Sequence, residues 1–98
     1  MTKADIVTRI ADKTGVEKVV TLTIVEAFMK QMKESMAEGK NIYLRGFGTF
    51  HIKRRAEKTG RNISKNTTII IPAHNIPAFK PSKTFVEKIK KNLPVQNK

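Results

Sequence analysis

Six cations, Lys53, Arg54, Arg55, Lys58, Arg61 and Lys65, fall within one short stretch in which Glu57 is the only opposing charge. Side chains of this kind pair with phosphate oxygens; they perform no acid–base or nucleophilic step. On a strand, alternate residues face opposite sides, so Lys53 with Arg55 and Arg54 with Lys58 divide between two faces, as suits a ribbon with phosphates on both flanks. A strand edge guarded by charge against aggregation uses the same residue types, but it needs neither six cations nor an apolar tip. That tip is GRNISKNT, Gly60 to Thr67, in which Ile63 is the one fully apolar side chain among turn formers and cations.

The whole chain repeats the signal. Twenty Lys and Arg against eight Asp and Glu give a net charge of +12. Residues 1–44 hold seven basic and six acidic side chains, residues 45–98 thirteen and two. A near-neutral scaffold therefore carries a basic working surface, whose natural partners are polyanions: DNA, RNA or an anionic membrane. With no cysteine, disulfides and cysteine–zinc sites are excluded. The opening MTKADIVTRIADKTG has no apolar run for a signal peptide or membrane span, which makes the cytoplasm the expected location.

Other chemistry is poorly served. Arg45-Gly46-Phe47-Gly48 lacks the spacing of a nucleotide-binding loop, and no helix follows it. As a turn it places Phe47 and Phe50 for packing and offers backbone N–H groups to a phosphate, with glycines where positive φ is wanted. His51 and His74 lie at no metal-ligand spacing, and no nucleophile or acid–base pair emerges, so neither an enzyme nor a cofactor is expected. Asn62-Ile63-Ser64 and Asn66-Thr67-Thr68 match the glycosylation pattern by accident in a chain without a secretory signal.

Helices and strands must position these groups. Thr2 with Asp5 reads as a capping-box variant opening a short helix with Ile6, Val7, Ile10 and Ala11 at helical spacing, stopped by Gly15. A second helix runs from near Val16 or Glu17 to Glu38, poorly capped at its start, with Val20, Ile24, Ala27, Phe28, Met32, Ser35 and Met36 on one stripe. After Gly39 the period changes to two: strands are expected at Asn41–Leu44, at Thr49–Ile52 continuing into the basic stretch, and at Thr67–Ile71, ended by Pro72 and an irregular AHNIPAF. Ser82, after Pro81, caps a last helix with Phe85, Val86, Ile89 and Leu93 on one face before Pro94. The order is helix, helix, three strands, helix: an α+β single domain.

Residues 53–75 cannot lie wholly over the helices and read as a two-stranded arm, leaving a body of about 1–52 and 76–94 and a tail at 95–98. From Ile52 to Asn62 an unbroken strand would reach roughly 35 Å at about 3.3 Å per residue. Such an isolated hairpin is marginal in water. The body without the arm is too small to cover five phenylalanines and four methionines by itself, and obligate dimerisation is the simplest remedy.

The motifs Gly46-Phe47-Gly48-Thr49-Phe50, Gly60-Arg61-Asn62-Ile63 and Ile76-Pro77-Ala78-Phe79-Lys80-Pro81-Ser82-Lys83, in this order and spacing, resemble those of the bacterial HU/IHF family of nucleoid-associated, DNA-bending proteins over essentially the whole length. The resemblance implies an intertwined dimer with a helical base, a three-stranded antiparallel sheet extended into β-ribbon arms that reach into the minor groove, and a C-terminal helix. The family places a wedging proline at the tip, where this chain has Ile63; isoleucine is β-branched and keeps its N–H, yet is itself among the wedges of minor-groove proteins. Ser64-Lys65-Asn66 replaces the usual tip turn, with Asn66 where glycine would be and able to take the left-handed conformation.

The expected function is therefore architectural: binding double-stranded DNA largely through phosphates, bending it and compacting the bacterial chromosome, in the cytoplasmic nucleoid. The expected contacts are Lys3, Arg45, Gly46, Gly48, Lys53, Arg54, Arg55, Lys58, Arg61, Asn62, Ile63, Ser64, Lys65, Lys80, Ser82 and Lys83. The partner subunit is expected to be identical, a heterodimer being the alternative; no membrane and no small-molecule substrate are called for. A single-strand or RNA binder would use the same charge but would stack bases on exposed aromatics, whereas Tyr43 and the phenylalanines fit core patterns. A membrane-surface protein would need the apolar face of the last helix, which the core requires.

Overall fold

The computed structural model describes residues 1–62 and 64–96. Two compact units divide the chain, Met1–Glu38 and Gly39–Lys98.

The first unit is a helix pair. Helix α1 (Lys3–Thr14) opens with the expected capping box: the Thr2 hydroxyl accepts from the Asp5 N–H, and the Asp5 carboxylate accepts from the Thr2 N–H at 2.8 Å. These bonds, the backbone one first, hold the Asp5 carboxyl below the usual carboxylate range. Gly15, at φ 78°, ends the helix by donating to the Ala11 carbonyl, a left-handed position glycine takes without steric cost. Helix α2 (Lys18–Ala37) begins at Glu17 without a side-chain cap, as its sequence suggests.

Among the described residues only Val7 and Ala11 are buried apolar ones, and no large side chain is fully buried. Along α2, Val20 is 45%, Ile24 60% and Phe28 49% exposed. The stripe read from the sequence is present: Val20, Ile24, Ala27 and Phe28 are exposed, and Met32, Ser35 and Met36 are half-buried.

The second unit is built on antiparallel strands. Strands β1 (Ile42–Leu44), β2 (Gly48–Arg55) and β5 (His74–Pro81) form one sheet in the order β1-β2-β5; β3 (Lys58–Asn62) pairs with β4 (Thr67–Ile71). The Asn41 side-chain carbonyl accepts from the Ile52 N–H, extending the pairing one step beyond β1. The expected irregular AHNIPAF is instead strand β5. Its prolines are tolerated because β5 is the sheet's outer strand, where an absent N–H costs no ladder bond.

The expected unbroken run from Ile52 to Asn62 is also corrected: it breaks at Ala56 and Glu57, opposite Pro72 and Ala73. Pro72 has no N–H to donate and fixes φ away from strand values. Nothing is inserted on either side, so Arg55 opposite His74 and Lys58 opposite Ile71 keep one register across the gap.

Helix α3 (Lys83–Asn92) begins at Ser82, whose hydroxyl accepts from the Phe85 N–H at 3.2 Å. Phe47, Phe50, Phe79 and Phe85 form the packing centre of this unit. Ring centroids lie 4.6 Å apart for Phe50 and Phe79 and 5.4 Å for the stacked pair Phe47 and Phe85. Such pairs contribute about 0.5–1.5 kcal/mol each beyond the area they bury.

Candidate nucleic-acid interface

Antiparallel pairing sorts the cations by face. Directly opposed residues share a face, and successive pairs alternate. Phe50 with Phe79 and Ile52 with Pro77 lie on one side of the sheet; Thr49 with Lys80, Lys53 with Ile76 and Arg55 with His74 lie on the other. Arg54, paired with Asn75, falls on the phenylalanine side. Lys53 and Arg55 thus share a face that Arg54 does not, as their spacing implies.

Beyond the break, Lys58 shares a face with Gly60, Ile69 and Ile71, whereas Arg61 lies opposite with Thr59, Thr68 and Ile70. The side chains of Lys53, Arg54, Arg55, Lys58, Arg61 and Lys65 are all exposed. The Arg61 guanidinium donates to the Asn66 side-chain carbonyl, and Asn66 takes the left-handed conformation at φ 52°. Ser64 lies in the turn, and Asn62 is the last residue of β3. The expected wedge Ile63 lies outside the described residues.

A second group of cations gathers where the β1–β2 turn meets α3. Phe47 N–H donates to the Leu44 carbonyl at 2.9 Å, closing a turn with Gly46 at φ 80°. A positive φ at this third turn position is what glycine supplies. The Phe47 carbonyl in turn accepts from the Ser82 N–H at 2.9 Å, and the Thr84 hydroxyl donates to the Gly46 carbonyl at 3.3 Å. Turn and helix start are therefore one fixture.

Six expected residues, Arg45, Gly46, Gly48, Lys80, Ser82 and Lys83, line one concavity there of about 430 Å³. Arg45, Lys80 and Lys83 are exposed at it. The helix start adds a fixed positive end.

Two of the six have structural duties that their motifs conceal. Gly48 was expected to supply a positive φ, but it is buried, and only Gly46 in this turn has one. A Cβ on Gly48 would stand 2.6 Å from the Lys80 carbonyl oxygen and from the Phe79 ring, so glycine is needed for close approach. Ser82 accepts from the Phe85 N–H while its own N–H serves Phe47. Lys3 belongs to the other unit, where its Nζ lies 3.0 Å from a Glu26 carboxylate oxygen, both side chains half exposed.

Sequence reasoning also misplaced Tyr43. It is 74% exposed and not part of a core pattern. It lies in one cross-strand row with Thr49 and Lys80 and lines the same concavity. The signal was present in Ile42-Tyr43-Leu44, where two half-buried aliphatics flank an outward position on a strand of period two.

Comparison with known proteins gives the family. The family model described as bacterial DNA-binding protein matches residues 1–90. The DNA-binding protein HU of Thermus thermophilus is 40% identical over 93% of this chain and 94% of its own length. HU-alpha of Salmonella typhimurium is 38% identical over 92% of this chain and all of its own. Among solved structures, an Anabaena HU–DNA cocrystal structure superposes with a TM-score of 0.86 at 32% identity, covering 97% of this chain and 100% of that one.

Proposed function

The chain belongs to the bacterial DNA-binding protein family of HU and its relatives, and from that premise we propose how it works: it is an architectural protein that binds duplex DNA and bends it. The superposition on an HU–DNA complex over nearly the whole chain carries this reading. Family likeness and the exposed cations together support a role in compacting the bacterial chromosome within the cytoplasmic nucleoid.

Binding is phosphate-driven. Lys53, Arg54, Arg55, Lys58 and Lys65 follow the backbone along the arm, and Arg61 with Asn62 enters the minor groove. Ile63 partly unstacks one base step at a cost of a few kcal/mol, returned when the bent flanks reach the body. There Arg45, Lys80 and Lys83 hold phosphates beside the turn and the α3 start, with Gly46 and Ser82 shaping the cradle and Gly48 holding its strands together. The Tyr43 hydroxyl adds a donor to the same row.

The protein acts as a dimer. The exposed α2 stripe of Val20, Ile24 and Phe28 is the surface for a second subunit, most simply an identical one.

Exposed Tyr43 beside three cations is the one observation that favours an unpaired strand, because aromatic stacking next to cations is how single strands are held. Competition among intact duplex, nicked duplex and single strand separates the two readings. With roughly eight phosphates neutralised, the slope of log K against log salt is about −7 on duplex. A slope shallower than about −3 defeats groove wrapping. Ile63→Ala is expected to leave the melting temperature unchanged while reducing the bend; a parental bend in that variant removes the wedge.

A further inference from the structure

Asn66 is the sole non-glycine residue with positive φ among those described. In that conformation glycine carries no steric penalty, whereas an L side chain does, even the tolerant asparagine. The turn alone therefore gives no reason for a side chain at this position. What asparagine adds is an acceptor: its Oδ1 takes a hydrogen bond from Nη2 of Arg61, five residues earlier.

Arg61 is exposed on β3, beside Thr68 of β4. Unrestrained, an arginine on a ribbon samples many rotamers and must lose that freedom on binding. A planar guanidinium with one donor committed to Asn66 keeps four N–H donors in a fixed plane.

We propose that Asn66 is a positioning residue, holding the Arg61 guanidinium at the arm tip in the orientation that meets the acceptors on the floor of the minor groove. The proposal rests on the duplex-binding reading above, and it concerns how one side chain is presented. Asn66 itself touches no DNA in this account. Adenine N3 and thymine O2 are acceptors alone, so an oriented donor fork suits A·T-rich steps, while the guanine amino group obstructs it.

The test is a double-mutant cycle on an A·T-rich duplex, with affinity measured across a salt series for the parent, Asn66→Gly, Arg61→Ala and the double variant. Glycine accepts the same backbone conformation, so the turn survives. Asn66→Gly is expected to weaken binding by about 3- to 10-fold, the scale of one side chain losing its preorganisation. The salt slope stays parental, because no charge is removed.

Arg61→Ala lowers the magnitude of the slope by about 1. In that background Asn66→Gly has no further effect. An equal loss in both backgrounds would mean that Asn66 serves the turn only, and a silent Asn66→Gly or a silent Arg61→Ala overturns the proposal outright. Failure of the parent to bind duplex at all is a different result, which removes the functional reading itself.

Discussion

Gly48 lies so close beneath Lys80 that a Cβ would stand 2.6 Å from the Lys80 carbonyl oxygen. That contact joins β2 to β5 immediately before the helix that carries Lys83, so the cationic platform depends on a residue with no side chain. Gly46, two residues earlier, has open space around it and needs glycine for its φ of 80°. The two glycines should therefore respond differently to substitution. Gly46→Asn, which tolerates left-handed backbone, should cost under about 1 kcal/mol. Gly48→Asn or Gly48→Ala should cost about 1–3 kcal/mol through overpacking. Thermal melts of the variants decide this, and equal effects would contradict the close-approach account.

Lys3 is expected to exchange Glu26 for a phosphate if it belongs to the interface. An exposed pair of this kind stabilises the fold by about 0.2–1 kcal/mol at most, so its removal should hardly move the melting temperature. Glu26→Gln should instead raise affinity for duplex and steepen the salt slope by up to about 1, as a freed Lys3 takes a phosphate. An unchanged slope would take Lys3 out of the interface.

The Thr2–Asp5 capping box makes a pH-dependent contribution. The folded state holds the Asp5 carboxyl below its ordinary value, so the unfolded chain binds the proton more readily. The stabilisation is complete above the ordinary carboxylate range and disappears as pH falls through the lowered folded value. Asp5→Asn, which cannot carry the charge that the Thr2 N–H favours, should lower stability at neutral pH, and that difference should shrink in acid. Denaturant titrations of parent and variant at about pH 7 and about pH 3 would show it; a cost independent of pH would contradict it.

If a second subunit covers α2, the melting temperature must rise with protein concentration, since the folded state is then a bimolecular product. Ile24→Arg places a charge in that surface and should abolish cooperative unfolding. A melting temperature independent of concentration would show that one chain is stable alone.

The helix boundaries were legible because they rest on local chemistry: Thr2 with Asp5, Gly15 and Ser82 each act within a turn of themselves. Strand β5 was hidden because Pro77 and Pro81 argue locally against a strand, and only the sheet order makes them harmless. The arm's cations and their division between faces followed from alternation, whereas the break at Ala56 and Glu57 comes from Pro72 on the opposite strand, a long-range cause. Gly48 and Tyr43 were misjudged for the same reason. A glycine's neighbour across a sheet and a tyrosine's exposed face are set by pairing, not by adjacency along the chain.

Fluorescence transfer between dyes at the two ends of one duplex, titrated with protein at low salt, addresses the central claim most directly. An architectural bender brings the ends together, so transfer should rise to a plateau as binding saturates and fall back on adding salt. Saturated binding with unchanged transfer would contradict bending, leaving a protein that coats DNA through its phosphates without shaping it.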